Sequence, residues 1–139
     1  MKTYQEAIQQ IRARGYRLTR ARQGVLKLLW KKRKPLAASD MQDLLAKQGI
    51  IVNKTTVYRE LEFLAQEKHI EEVRLHDGRR YYECVSSHHH HLICVTCKSI
   101  DDVILENEFE REERQIEREA GFKVLNHSLE FFGVCAQCQ

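Results

Sequence analysis

Two Cys-x-x-Cys pairs, Cys94/Cys97 and Cys135/Cys138, constrain this 139-residue chain more than any other feature. Each pair can span one edge of a tetrahedral site, and two pairs complete the four-thiolate shell usual for structural zinc. A redox dithiol needs only one such pair in a thioredoxin-like setting, so two matched pairs argue against that chemistry. A shell drawn from both pairs brings the end of the chain back to residue 94 and closes the segment between them. The part of the chain so closed is small enough that a metal staple is expected to supply stability its core cannot.

Charge divides the chain in two. Residues 1–80 hold 18 Lys/Arg and 9 Asp/Glu, a balance of +9; residues 81–139 hold 5 and 11, a balance of −6. A basic half points to a nucleic-acid partner. No apolar run approaches the roughly 18 residues needed to span a bilayer, so no membrane partner is expected. The N-terminal residues lack the apolar core of a signal peptide, which places the protein in the cytoplasm. Five cysteines in that compartment are better read as thiolate ligands than as disulfides.

The basic half reads as helices. Ala7, Ile8 and Ile11 recur at helical spacing between Tyr4 and Arg14. Thr19 is a good N-cap for a second helix carrying Val25, Leu26, Leu28, Leu29 and Trp30, ended by Lys31–Lys34 and Pro35. Ser39 is the expected cap of a third helix with Met41, Leu44 and Leu45, and a fourth spans roughly Thr55 to Lys68. Two helices joined by a short turn, the second rich in polar side chains, form a helix-turn-helix pattern. Strand-like runs 70–75 and 79–84 flank His76-Asp77-Gly78, a hairpin signal. Helix-turn-helix plus hairpin is a winged helix, with Arg79 and Arg80 near the tip. In the acidic half, strands are expected at 92–94 and 100–105, a helix at 106–120, and strands at 122–124 and 128–132. The fold class is therefore α+β: a winged-helix domain over 1–84 and a small zinc-stapled α/β domain over 85–139.

Four consecutive histidines, His88–His91, run into the first cysteine pair. In an extended segment alternate side chains face opposite ways, so His89 and His91 point to one side and His88 and His90 to the other. The run thus serves two sites better than one. Beside His89 and His91 the nearest soft donor is Cys84, with Glu71, Glu72, His76 or Glu83 of the wing as a fourth ligand. Beside His88 and His90 stand Glu108, Glu110 and His127. Glu106–Glu119 reads as a solvated helix face from which one glutamate need turn inward.

Thr55-Thr56-Val57-Tyr58-Arg59, the histidines before Cys94, and Asn126-His127-Ser128 before Gly133-Val134-Cys135 together resemble the Fur superfamily of bacterial metal-dependent repressors. The resemblance implies a C-terminal dimerisation domain and a homodimer on an AT-rich inverted repeat in double-stranded DNA. It also implies that Thr55, Thr56, Tyr58 and Arg59 lie at the DNA, with Arg17 and Arg22 gripping the backbone or minor groove. Cys84-x-x-x-His88-His89-His90-His91-Leu92-Ile93-Cys94 looks most like the zinc-uptake regulators. That implies a regulatory site of Glu71, Cys84, His89 and His91, an additional site of His88, His90, Glu110 and His127, and so one structural and one or two regulatory zinc ions per subunit. Iron and peroxide sensors of the superfamily place a histidine before the third helix, where this chain has Pro35; Glu83 and Asp102 match acidic ligands of those sensors. Lys98 replaces the glycine usual after the first cysteine pair.

The expectation is a zinc-responsive repressor of zinc-uptake genes. The rival within the superfamily senses iron, manganese or peroxide. A zinc enzyme would need an open coordination position beside a general base, whereas a Cys-His₂-Glu shell is closed. A zinc buffer would have no use for the basic helix-turn-helix.

Overall fold

The computed structural model describes residues 3–75, 77–85, 88–106 and 109–139. His76 and Glu108, both candidate ligands from the sequence, lie outside the described residues. The chain divides into two units, Met1–Ser87 and His88–Gln139.

In the first unit α1 (Tyr4–Ala13) starts from a capping box, in which Thr3 Oγ1 accepts from the Glu6 N–H and Glu6 Oε2 accepts from the Thr3 N–H. Helix α2 (Arg20–Lys32) is capped by Thr19, and α4 (Lys54–Gln66) by Asn53, whose Oδ1 accepts from the Thr56 N–H at 2.8 Å. These caps satisfy backbone donors that a helix start leaves open. Helix α3 (Ala38–Lys47) begins earlier than Ser39 allows: Ala37 occupies the cap position and makes no side-chain cap bond. Ala37 is there because Leu36–Ala37 form a short strand, β1, which periodicity cannot reveal in two residues.

Strand β1 pairs with β3 (Arg80–Cys84), and β3 pairs antiparallel with β2 (Ile70–Arg74), giving the order β1-β3-β2. The loop of this wing is held by Asp77, which accepts from the Arg79 N–H (3.0 Å) and the Tyr81 hydroxyl (2.6 Å). The core joins Ala7, Ile8 and Ile11 of α1 to Val25, Leu26, Leu28 and Leu29 of α2, Met41 and Leu45 of α3, Val57, Leu61 and Leu64 of α4, and Ile70 and Tyr82 of the wing. Gly24 permits one close approach in it: a Cβ there would stand 2.5 Å from Ile50 Cδ1.

In the second unit β4 (His90–Cys94) is central, antiparallel to β5 (Ile100–Val103) and parallel to β6 (Glu130–Gly133). Strand β4 therefore starts inside the histidine run. Helix α5 (Glu110–Ala120) begins four residues later than expected, behind a left-handed Phe109 (φ 63), and buries none of its residues. The stretch 122–124 is not a strand, and the last strand begins at Glu130 rather than Ser128. Among the described residues of this unit only Ile93, Cys94 and Ile100 are buried apolar side chains. Leu92, Phe122, Leu125, Phe131 and Phe132 are exposed. So few buried groups cannot hold such a unit by hydrophobic packing alone.

Candidate metal centres

The four paired cysteines converge. The Sγ atoms of Cys94, Cys97, Cys135 and Cys138 all lie within 4.8 Å of one another, and Cys97 Sγ is 3.8 Å from Cys135 Sγ. A tetrahedral zinc with bonds of about 2.3 Å has an S···S edge of about 3.8 Å, so the set fits that ion. The backbone is arranged for thiolates: the Cys135 and Cys97 N–H groups donate to Cys94 Sγ at 3.4 and 3.5 Å. Donation from the Cys135 amide, then that of Cys97, pulls the Cys94 thiol down to about 6. Sharing a proton with Cys135 pushes Cys138 up to about 12. The turn between Cys94 and Ser99 places Lys98 in the left-handed region (φ 64), which explains why glycine suits that position. Lys98 is held there by its Nζ donating to the Val95 carbonyl at 2.7 Å.

The histidine run divides as strand alternation requires. His89 and His91 stand ring to ring at 4.9 Å, edge to face, and their Nε2 atoms lie 3.9 and 3.6 Å from Asp102 Oδ1. Asp102 arrives because it is the β5 residue registered directly opposite His91. Two imidazoles and a carboxylate form a donor set that accepts zinc, iron(II) or manganese(II).

On the other side His88, His90 and His127 form a second cluster. His88 Nε2 lies 3.0 Å from His127 Nε2, and the ring of His90, itself 2% exposed, is 4.8 Å from His88 and 5.4 Å from His127. Burial, then the neighbouring His88 and His127, lowers the pKa of His90. A neutral imidazole is the form that binds metal. Phe109 packs its ring against both His90 and His127. The glutamate that turns inward is Glu113, whose Oε1 is 2.6 Å from His127 Nδ1. Glu110 instead is exposed at the first position of α5.

In the wing, Cys84 is registered opposite Ile70, and Glu71 opposite Glu83. The thiol of Cys84 packs on the first unit's core, and burial pushes it up to about 12. Glu71 and Glu83 lie on the opposite face of the same two strands, so the structure does not bring Glu71 and Cys84 together. Glu83 is 4% exposed, a buried carboxylate that chain order alone does not distinguish from Glu71.

Of the six residues expected at the DNA, Thr55 and Arg59 on α4 and Arg17 before α2 are exposed. Thr56 is half-buried, and Tyr58 packs partly on the core with Lys54 Nζ 5.8 Å above its ring. Arg22 differs. Its Nε donates to Glu60 at 2.8 Å, its Nη1 to the Arg17 carbonyl at 2.8 Å, and its guanidinium lies 3.7 Å over the Phe63 ring. It ties α2 to α4 instead of reaching outward. Arg79 Nη2 likewise meets Ser39 Oγ and Asp40, while Arg80 meets Glu72.

The ferric uptake regulator family model matches residues 13–132. The ferric uptake regulation protein of Bacillus subtilis is 33% identical over 134 residues, covering 93% of this chain and 89% of the relative. The zinc uptake regulation protein of Mycobacterium tuberculosis is 32% identical over 128 residues, covering 91% and 98%. Among solved structures, a zinc uptake regulator complexed with zinc and DNA superposes with a TM-score of 0.69 at 25% identity, covering 97% of this chain and 91% of that one. These two relatives, one named for ferric and one for zinc uptake, are nearly equal in identity to this chain.

Proposed function

The chain belongs to the ferric uptake regulator family, and from that premise we propose that it is a zinc-responsive repressor of zinc-uptake genes, acting in the cytoplasm as a homodimer. Regulators of this family are dimeric, metal-responsive DNA-binding proteins and not enzymes. What remains to be proposed is the ion and its ligands. The observation that carries the reading is the partition of the histidine run into two separate donor sets, with the four cysteines forming a third.

In this reading Cys94, Cys97, Cys135 and Cys138 hold a permanent zinc that supplies the second unit with the cross-link its sparse core lacks. His89 and His91, with Asp102 beside them, hold the sensed ion. The first unit adds Cys84, by its spacing from the histidines. The alternative donors, Glu71 and Glu83, share the other face of the wing. Zinc supplies coordination bonds that reward one arrangement of the dimer over the others, a shift among existing populations. Arg59, Thr55 and Arg17 then meet operator DNA, an AT-rich inverted repeat whose half-sites lie about one helical turn apart (~34 Å). A thiolate among imidazoles selects zinc, and the chain has no histidine before His69 to build the iron-type shell the resemblance would require.

A second reading, iron(II) or manganese(II) as the sensed ion, is favoured by one observation: Cys84 faces the core, whereas Asp102 stands beside His89 and His91. Operator binding measured during separate titrations with zinc, iron(II) and manganese(II), with metal counted per subunit, tests both. The zinc reading expects zinc alone to switch binding at buffered physiological free-metal levels, and Cys84→Ser to abolish the switch while one zinc per subunit persists. Normal zinc switching by Cys84→Ser would remove that residue from the site. Switching by iron(II) but not zinc would overturn the reading.

A further inference from the structure

We propose that Glu113 is the positioning residue of the His88/His90/His127 centre, fixing which nitrogen of His127 faces a bound metal. The inference rests on the reading that these three histidines hold an ion, and it concerns a residue outside the donor set expected there.

His127 is gripped from both ends of its ring. Glu113 Oε1 lies 2.6 Å from Nδ1, and His88 Nε2 lies 3.0 Å from Nε2. A carboxylate accepts and cannot donate when ionised, so the proton of a neutral His127 resides on Nδ1 and donates to Glu113. The lone pair is then left on Nε2, directed at His88. Two Nε2 atoms at 3.0 Å are close to the separation of about 3.3 Å expected for two imidazoles on one tetrahedral zinc with bonds near 2.05 Å. The two ring nitrogens point away from each other, so Glu113 sits on the side of His127 remote from the ion. This is the carboxylate–histidine–metal relay, in which the outer group sets tautomer and ring orientation and raises ligand basicity.

The surroundings reinforce the clamp. His127 and Glu113 keep only 24% and 29% of their side-chain surface exposed. Phe109 packs against His127 and His90 with ring centroids 5.4 and 5.9 Å away. Its left-handed backbone (φ 63) is a costly conformation for a bulky residue and starts α5, which carries Glu113. Glu113 follows Glu110 by three residues, nearly one helical turn, so the two lie along one side of the helix, yet only Glu113 is within reach of His127 Nδ1.

The test uses the full-length protein with its four-cysteine zinc in place and cobalt(II) and zinc as probes. Glu113→Ala is expected to weaken the second, histidine-bound ion about 10- to 100-fold in competition with a chromophoric chelator. Glu113→Gln is expected to restore most of that loss, because an amide oxygen accepts the same N–H. Long-range ¹H–¹⁵N spectra of protein lacking the second ion should show His127 as the Nδ1–H tautomer in wild type and Glu113→Gln, and lose that preference in Glu113→Ala. Unchanged affinity in Glu113→Ala would overturn the proposal. So would a glutamine variant as weak as alanine with altered cobalt ligand-field bands, which makes Glu113 a direct ligand. If wild type binds no ion through His88, His90 and His127, the metal reading of the cluster falls and takes this one with it; normal wild-type binding with insensitive variants sinks Glu113 alone.

Discussion

Cys84 stands directly opposite Ile70 in the β2–β3 ladder, so its thiol shares the core face of the wing while Glu71 and Glu83 occupy the other. A soft donor placed there is shielded by the core of the first unit. Drawing it onto an ion requires losing the proton and leaving the packing.

The first prediction concerns that thiol. Its pKa is raised to about 12 by burial. The folded state thus favours the neutral form, a contribution complete below the ordinary thiol range near ~8.5 and lost as pH rises through the folded value. At pH 8, without added metal, alkylation of Cys84 followed by peptide mass spectrometry should be slow in native protein and fast in urea. Fast native labelling would show a thiol already turned outward.

Asp102 gives the second prediction. It reaches His89 and His91 through strand register, and in the proposed reading its carboxylate binds the sensed ion or orients the imidazoles. Asp102→Asn should lower metal affinity at that site about 10- to 100-fold and shift the operator-binding midpoint equally, leaving the four-cysteine zinc untouched. Competition with a chelator and a gel-shift titration measure both. A variant with wild-type midpoints removes Asp102 from the site.

The third concerns the zinc proposed for the four cysteines. Structural zinc sites contribute about 10–16 kcal/mol of apparent binding energy in small peptides, and the second unit has few other buried contacts. Cys135→Ser should therefore cost one zinc per subunit and abolish cooperative unfolding of residues 88–139, seen by calorimetry and amide exchange. The four thiols must be deprotonated to bind, so zinc content should fall as pH is lowered and thiolates are protonated. A variant that keeps its zinc and its unfolding transition would contradict the four-cysteine shell.

What the sequence made legible follows from which signals are local. The cysteine spacing announced the convergence of Cys94, Cys97, Cys135 and Cys138 because ligand geometry is nearly independent of fold, and the histidine run divided as period-two alternation demands. Thr19 capped its helix where expected. Misses came where a tertiary partner decides. Two-residue β1 exists only because β3 pairs with it, and that pairing moved the start of α3 ahead of Ser39. Glu113 could not be singled out among the glutamates of α5 without knowing where His127 lands. Glu71 joined Cys84 through the resemblance to zinc-uptake regulators, and the β2–β3 register puts the two on opposite faces of the wing.

Arg22 supplies the last prediction, because its basic side chain invites a DNA role that its contacts do not leave open. Its guanidinium pairs with Glu60, donates to the Arg17 carbonyl, and stacks on Phe63, with the paired side chains only 15% and 13% exposed. Removing one member of a half-buried pair leaves the other poorly compensated. Arg22→Ala should cost about 2 kcal/mol of stability, Glu60→Ala a similar amount, and the double variant less than the sum by about 1 kcal/mol. Arg59→Ala and Arg17→Ala, at exposed positions, should leave urea midpoints unchanged and weaken operator binding, each reducing the salt-dependence slope by about 1 where a phosphate contact is lost. Additive losses for Arg22 and Glu60 would mean that the pair is not coupled in solution. A salt slope changed by Arg22→Ala with no loss of stability would return that arginine to the DNA face.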